Sequence, residues 1–247
     1  MDAALKDVSV AILAGGMGTR LRSVVADRPK VLAVVAGRPF LAYLLDQLLA
    51  AGIKETVLLV GYAADQVRNT LGDDYRGMRL IYSIEAEPLG TGGAVRLALP
   101  HLREQTILLL NGDSYCDVEL AQFLESHHRA KAHVSLALAE VADTSRYGRV
   151  CTDPAGRVVR FEEKGGARSP GRINAGVYLL PRRLVDRIPD SVPVSLEKEV
   201  LPWWVRHGGV WGFGGGRFID IGTPESYADA DEFFRPVGAT PATTGRG

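Results

Sequence analysis

The residues equipped for chemistry cluster first near the N-terminus. Residues 10–13 (VAIL) form an apolar run that stops at Gly15-Gly16-Met17-Gly18, with Arg20 and Arg22 close behind and Lys30 just after Pro29. Glycines lack Cβ atoms, so the chain can approach a ligand closely and its N–H groups can converge on an anion. A forked guanidinium and a point ammonium beside such a turn suit a polyphosphate. A second chemical stretch is Asn111-Gly112-Asp113, which ends the apolar run TILLL. A carboxylate in that place suits a hard cation such as magnesium, which takes a few carboxylate oxygens and completes its shell with substrate phosphates.

Several familiar sites are excluded. The ATPase phosphate loop needs Lys-Ser or Lys-Thr after its last glycine, whereas Thr19-Arg20 follows Gly18. The dinucleotide fingerprint needs a third small residue where Leu21 stands, so a dehydrogenase is not indicated. No G-x-S-x-G elbow is present for a nucleophilic hydrolase. His127 and His128 are adjacent on an expected helix and so point apart, while His101, His133 and His207 are isolated. Cys116 and Cys151 stand in unrelated contexts and read as free thiols of a reducing compartment.

A chain of 247 residues has room for one large α/β domain with a sizeable core. Its 46% hydrophobic and 23% charged content is that of a soluble globular protein. Lys and Arg together number 29 and balance 29 Asp and Glu, with no basic stripe, so neither nucleic acid nor an anionic membrane is an expected partner. The opening MDAALKDVSV lacks the apolar core of a secretory leader, and no run approaches the roughly 18 apolar residues of a membrane span. A cytoplasmic location is therefore expected.

The elements that must position these residues follow from pattern. Strands are expected at 8–13, 56–60, 79–83 and 106–110. Between them lie helices over 40–50, closed by Gly52, over 63–71, closed by Gly72, and over about 94–99, opened by Gly90-Thr91-Gly92-Gly93 and ended by Pro100. This alternation implies an α/β fold with a doubly wound, mostly parallel, Rossmann-like sheet. The second half reads as a helix at 118–130 and strands at 132–139, 149–151, 158–161 and 175–180. Helices at 182–188 and 196–206 come next, the latter interrupted by Pro202. Strands at 210–213 and 218–220 precede a helix that starts at Pro224 and is capped by Thr223. Trp203-Trp204 and Trp211 suit core packing first and an interface second, and a homo-oligomer is compatible with them. Residues 236–247 carry Pro, Gly, Thr and Ala without apolar periodicity and are expected to be a mobile tail.

If the first four parallel strands lie in the order three-two-one-four, strands one and four meet at the topological switch point. Ligands of open α/β sheets bind there, outside the carboxyl ends of the strands. The glycine turn and Asp113 should then face one another across a single cleft.

The stretch G-G-x-G-T-R-L followed by Pro29-Lys30 resembles the signature of the sugar nucleotidyltransferases (nucleoside-diphosphate-sugar pyrophosphorylases), and the likeness extends over about residues 8–230. It implies nucleotide contacts from Leu13, Ala14, Gly15, Gly16, Gly18, Thr19 and Arg20. Glu85-Ala86-Glu87-Pro88-Leu89-Gly90-Thr91-Gly92-Gly93 is similar to the family's base- and ribose-holding loop, so Glu85, Gly90, Thr91 and Gly92 join that set, with Glu85 or Glu87 as the base reader. Tyr147-Gly148, Glu163-Lys164 and Asn174 match its sugar-phosphate contacts. Phe218-Ile219-Asp220-Ile221-Gly222-Thr223-Pro224 resembles the late pattern whose Asp shares magnesium with the Asp of the Gly-Asp pair. Asp113 and Asp220 are thereby implied as metal ligands, and Arg20, Lys30, Asp113 and Asp220 as the catalytic set. Where the family often carries prolines after Pro-Lys, this chain has Val31 and Val34.

The resemblance implies one domain over 1–235, with a nucleotide part at about 1–115 and a sugar-phosphate part at about 116–235 inserted in the C-terminal half. The substrates implied are a nucleoside triphosphate and a sugar 1-phosphate, both anions. Two unit charges at 4 Å repel by about 4 kcal/mol at an effective dielectric of 20. Mg2+, Arg20, Lys30 and Lys164 are the means of offsetting that repulsion, and the ionised sugar phosphate needs no general base. Within the family, residues 21–25, 37–41, 87–93 and 218–222 are most similar to guanylyltransferases of D-glycero-α-D-manno-heptose 1-phosphate. Mannose-1-phosphate guanylyltransferases and sugar-1-phosphate uridylyltransferases share most of the same residues. A non-catalytic nucleotide-sensing paralogue is the alternative of a different class, and such a protein is expected to lose charged site residues that are present here.

Overall fold

The apolar run VSVAIL forms strand β1 (Val8–Leu13), and its side chains serve two cores at once. Val8, Val10 and Ile12 pack on one face of the sheet and Ala11 on the other. Burial on both faces is why the segment reads as continuous rather than alternating hydrophobicity. The structure is a computed structural model and describes residues 4–16, 18, 21, 24–61, 63–162 and 168–235.

After β1 come the short hairpin of β2 (Val34–Val35) and β3 (Arg38–Pro39), helix α1 (Phe40–Ala50), β4 (Glu55–Val60) and α2 (Ala64–Leu71). Then follow β5 (Asp74–Tyr75), β6 (Met78–Ile84), α3 (Gly90–Leu97), β7 (Thr106–Asn111) and β8 (Ser114–Cys116). The second half contains α4 (Leu120–Arg129), β9 (Val134–Val141), β10 (Arg149–Thr152), β11 (Val158–Glu162) and the long β12 (Gly171–Pro181). It ends with α5 (Arg182–Val185), α6 (Leu201–Arg206), β13 (Val210–Gly214), β14 (Phe218–Asp220) and α7 (Pro224–Phe233).

One ten-stranded sheet runs β11-β10-β12-β7-β1-β4-β6-β5, with β9 paired to both β12 and β13. Strands β6, β4, β1 and β7 are parallel and lie in the expected three-two-one-four order. Strand β12 runs antiparallel to β7, so the C-terminal half continues the same sheet rather than forming a separate one. Its register against β9 shifts between Asn174 and Tyr178. A separate antiparallel ladder joins β14 to β8 and sets Asp220 opposite Ser114. Among the described residues no helix is long and apolar enough to cross a membrane. The expected mobile tail, 236–247, lies outside the described residues.

Strand β12 starts earlier and α5 ends earlier than expected, β2, β3, β5 and β8 were not foreseen, and two further differences bear on the site. Helix α3 starts at Gly90 rather than near Ala94. The glycines are not a loop but a notch: the carbonyl of Val194 lies across them and accepts from the N–H groups of Gly92 (2.8 Å) and Gly93 (3.3 Å). That carbonyl satisfies two of the helix's orphan donors. The expected helix over 196–206 is split into a π-wound turn, Leu196–Val200, and α6. Pro202 in the first turn of α6 has no N–H to return to an earlier carbonyl, and its ring crowds the turn before it. The wider turn relieves that crowding. The cap at Thr223 forms as expected, as a reciprocal box with Ser226.

Gly90 has φ +69°, and a Cβ there would sit 2.6 Å from the Val194 oxygen. Gly90→Ala should therefore cost about 1–3 kcal/mol through strain and overpacking. The check is a lowered midpoint of urea unfolding at unchanged slope.

Candidate active site

A cavity of about 910 Å³ opens where β1 and β7 end. Its walls bring together most of the residues singled out from the sequence. The N-terminal half supplies Leu13, Gly15, Gly16, Lys30, Glu85, Gly90, Thr91 and Asp113, with Glu87 beside them; the C-terminal half supplies Tyr147, Gly148, Asn174 and Asp220. Ala14 is buried behind the wall, where its N–H donates to the Leu59 carbonyl at 2.8 Å. Gly92 is turned against Val194, and Gly18 borders a smaller adjoining pocket of about 190 Å³. Thr19, Arg20, Glu163 and Lys164 lie outside the described residues.

Asp220 ends β14 opposite Ser114, and Asp113 lies directly before β8. The Asp113 carbonyl accepts from Ile221 N–H at 3.0 Å, which ties the loop after β7 to the loop after β14. Lys30, held on a 3₁₀ turn after Pro29, donates to Asp113 Oδ2 at 2.5 Å. Asp220 is surrounded by donors: Gly222 N–H at 2.6 Å, Ser226 Oγ at 3.4 Å, Arg146 Nη2 at 3.2–3.3 Å and the Tyr147 hydroxyl. Burial and the adjoining Asp220 carboxylate raise the Tyr147 pKa well above its usual value, so the phenol stays a neutral donor. Two hard carboxylates on neighbouring positions, open to a cavity with room for phosphates, are a donor set that fits a magnesium ion.

Glu85 stands at the opposite wall. Its carboxylate lies over the backbone of Gly15 and Gly61; a Cβ on either would come within 2.9 Å or 2.7 Å of Oε1. Oε2 accepts from Leu89 N–H at 3.0 Å. Partial burial raises its pKa, and the single backbone donor opposes that only in part. Glu87, the alternative reader, is exposed.

Behind the cavity runs a polar chain that no motif announced. Thr91 Oγ1 donates to Glu197 Oε2 at 2.7 Å and accepts from Leu196 N–H at 2.8 Å. The Tyr178 hydroxyl donates to Glu197 Oε1 at 3.3 Å and accepts from Asn174 Nδ2 at 2.8 Å. Glu197 belongs to the π-wound turn, which aims both it and Lys198 at the cavity. Arg146 was also missed, although it directly precedes Tyr147-Gly148. Asn111 Oδ1 is buried at the cavity wall and has no hydrogen-bond partner among the described residues. The cysteines take no part: Cys116 is buried, which pushes its thiol pKa up to about 11, and both are free.

The family described as nucleotidyl transferase matches residues 9–235. The chain belongs to that family. Among its nucleotidyl transferase relatives, the D-glycero-α-D-manno-heptose 1-phosphate guanylyltransferase of Aneurinibacillus thermoaerophilus is 38% identical over 222 residues, covering 90% of this chain and 96% of that protein. The mannose-1-phosphate guanylyltransferase of Mycobacterium tuberculosis is 36% identical, covering 98% of this chain and 69% of that protein. The crystal structure of HddC from Yersinia pseudotuberculosis complexed with GMP-PN is similar with a TM-score of 0.82 at 35% identity, over 92% of this chain and 100% of that one.

A raised carboxyl pKa means that the folded protein holds the Glu85 proton at a pH where the unfolded chain has lost it. Stability from this group is therefore present at low pH and falls as pH rises from the unfolded carboxylate range through the raised value. Glu85→Gln should raise the thermal midpoint at neutral pH, and the gain should vanish below about pH 4. A gain equal at pH 4 and pH 8 would contradict the desolvation of this carboxylate.

Proposed function

We propose that this nucleotidyl transferase moves GMP from GTP to a sugar 1-phosphate, with D-glycero-α-D-manno-heptose 1-phosphate as the preferred acceptor, and releases pyrophosphate. The observation that carries the reading is the Glu85 carboxylate, desolvated against the glycine-lined wall. Guanine presents its ring N–H and exocyclic amine side by side, and a carboxylate accepts from both, whereas uracil and thymine offer one ring N–H between two carbonyls. Two donated hydrogen bonds also return a raised carboxyl to its ionised form. The heptose is supported by the relative from Aneurinibacillus thermoaerophilus, and the guanine nucleotide by the Yersinia pseudotuberculosis structure, which holds GMP-PN. Mannose 1-phosphate is the second reading, favoured by the Mycobacterium tuberculosis relative.

In this reading the nucleotide part spans about 1–115 and the sugar-phosphate part about 116–235 of a cytoplasmic enzyme. Lys30 serves the triphosphate and Tyr147, Gly148 and Asn174 the sugar phosphate; by the family resemblance Arg20 would join the first set and Glu163 and Lys164 the second. Asp113 and Asp220 would hold magnesium, which supplies charge neutralisation on the phosphates when bound. The sugar phosphate attacks the α-phosphorus in line and is already an anion, so no side chain has to remove a proton. The protein's work is positioning and electrostatic stabilisation. A nucleotide-sensing paralogue is disfavoured because Lys30, Asp113 and Asp220 stand together around one cavity.

The test is pyrophosphate release from five triphosphates, each paired with heptose, mannose, glucose and N-acetylated sugar 1-phosphates. GTP with the heptose should turn over best. Preferential use of UTP or dTTP would overturn the base assignment, and GTP with mannose preferred would remove the heptose alone. Asp113→Asn should keep the fold and lose about 100-fold or more of kcat. Glu85→Gln should lower kcat/KM for GTP by about 10- to 100-fold, since one acceptor of a charged pair becomes a donor.

A further inference from the structure

Two acids of the cavity, Asp113 and Asp220, each face a cation, but the pairs are built in opposite senses. In the first the cation is the buried member, with the Lys30 side chain 9% exposed and that of Asp113 46%. In the second the acid is buried, with the Asp220 side chain 13% exposed and that of Arg146 41%. Asp220 is fixed without Arg146: Gly222 N–H and Ser226 Oγ donate to Oδ1, and the Tyr147 hydroxyl donates to Oδ2. Arg146 adds a single nitrogen, Nη2, at 3.3 Å from Oδ1 and 3.2 Å from Oδ2. A guanidinium that pairs strongly with a carboxylate uses two nitrogens at about 2.7–2.9 Å. Here one nitrogen straddles both oxygens at long range, which is the place a small cation bound to this carboxylate would take.

We propose that Arg146 is a positioning residue that stands in for a divalent cation on Asp220 while the cavity holds no substrate, and yields the carboxylate when a substrate phosphate draws its guanidinium away. The proposal rests on the reading of Asp113 and Asp220 as the metal-holding pair. Arg146 lines the same cavity as Lys30 and Asp113, and Asp220 is its only ion-pair partner among the described residues. A phosphate offers the guanidinium a two-nitrogen contact and more negative charge than one carboxylate does. Before that exchange Asp220 already faces a cation, and a metal entering the site gains little. After it, Asp220 faces the cavity without the guanidinium. Metal and sugar phosphate then favour each other's binding, and that coupling is reciprocal.

Manganese(II) serves as the probe, with the signal of the free ion followed by electron paramagnetic resonance on the full chain in the absence of nucleotide. Arg146→Gln should bind Mn2+ roughly two- to fivefold more tightly than the unsubstituted protein, the scale of one half-exposed ion pair. Arg146→Lys, which keeps the charge, should stay near the unsubstituted value. Mannose 1-phosphate should tighten Mn2+ binding to the unsubstituted protein, and the gain should be smaller in Arg146→Gln. Circular dichroism and thermal unfolding establish that each variant is folded. If Asp220→Asn weakens Mn2+ binding while Arg146→Gln binds it no better than the unsubstituted protein, the role of Arg146 is overturned and the metal pair stands. Unchanged binding in both Asp113→Asn and Asp220→Asn removes the metal pair, and the proposal with it.

Discussion

The constraint on which the site depends is charge balance at the ends of β1, β7 and β14. Two carboxylates line one cavity, and each is held in place by donors from a different part of the chain. Asp113 relies on Lys30, which comes from the segment that leaves β1. Asp220 relies on the turn at Gly222, on Ser226 at the start of α7 and on Tyr147 from the loop before β10, and Arg146 faces it at longer range. None of these side chains reaches its acid unless β7 lies beside β1 and β14 lies beside β8. The hydrophobic pairing of the strands therefore comes first, and the polar geometry is its consequence.

That dependence explains which parts of the molecule were legible in the sequence. Strands β1, β4 and β7 are buried on both faces, so each appears as an unbroken apolar run, and their order follows from short connections in a doubly wound sheet. Asp113 follows such a run and was found for that reason, whereas Lys30 and Glu85 were found through the resemblance of Pro29-Lys30 and of the stretch 85–93 to the family's motifs. Arg146 and Glu197 were not. Arg146 meets its acid 74 positions away and Glu197 meets Thr91 at a separation of 106, in irregular backbone where no period exists to read. The signal for Glu197 was Pro202: a proline early in an expected helix marks a distorted turn, and distorted turns of this kind are frequent at functional sites.

The glycines illustrate a different limit. Gly90, Gly92 and Gly93 read as a ligand-holding loop, and part of that stretch does line the cavity. Their packing explains more of their identity, because the Val194 carbonyl needs the space that Cβ atoms would fill. Gly15 and Gly61 are small so that a glutamate can lie across them. Composition alone does not separate a glycine kept small for a ligand from one kept small for another part of the protein.

Glu85 and the acid pair show two ways of keeping a carboxylate ready for a ligand. Asp113 and Asp220 are each paired with a cation, at the cost of having those cations in the way. Among the described residues Glu85 has no cation beside it. It is desolvated against glycine backbone, with one backbone N–H for company, and it destabilises the fold above the carboxylate range. The destabilisation is relieved by any ligand that donates hydrogen bonds to the carboxylate, and more by one that donates two than by one that donates one. A site built in that way discriminates through the cost of leaving an acceptor unmatched, and this is the form of selectivity that a buried polar group confers more strongly than an apolar pocket does. The wall opposite the metal-fitting acids is thus organised to distinguish bases by their donors, while the acids themselves respond only to charge.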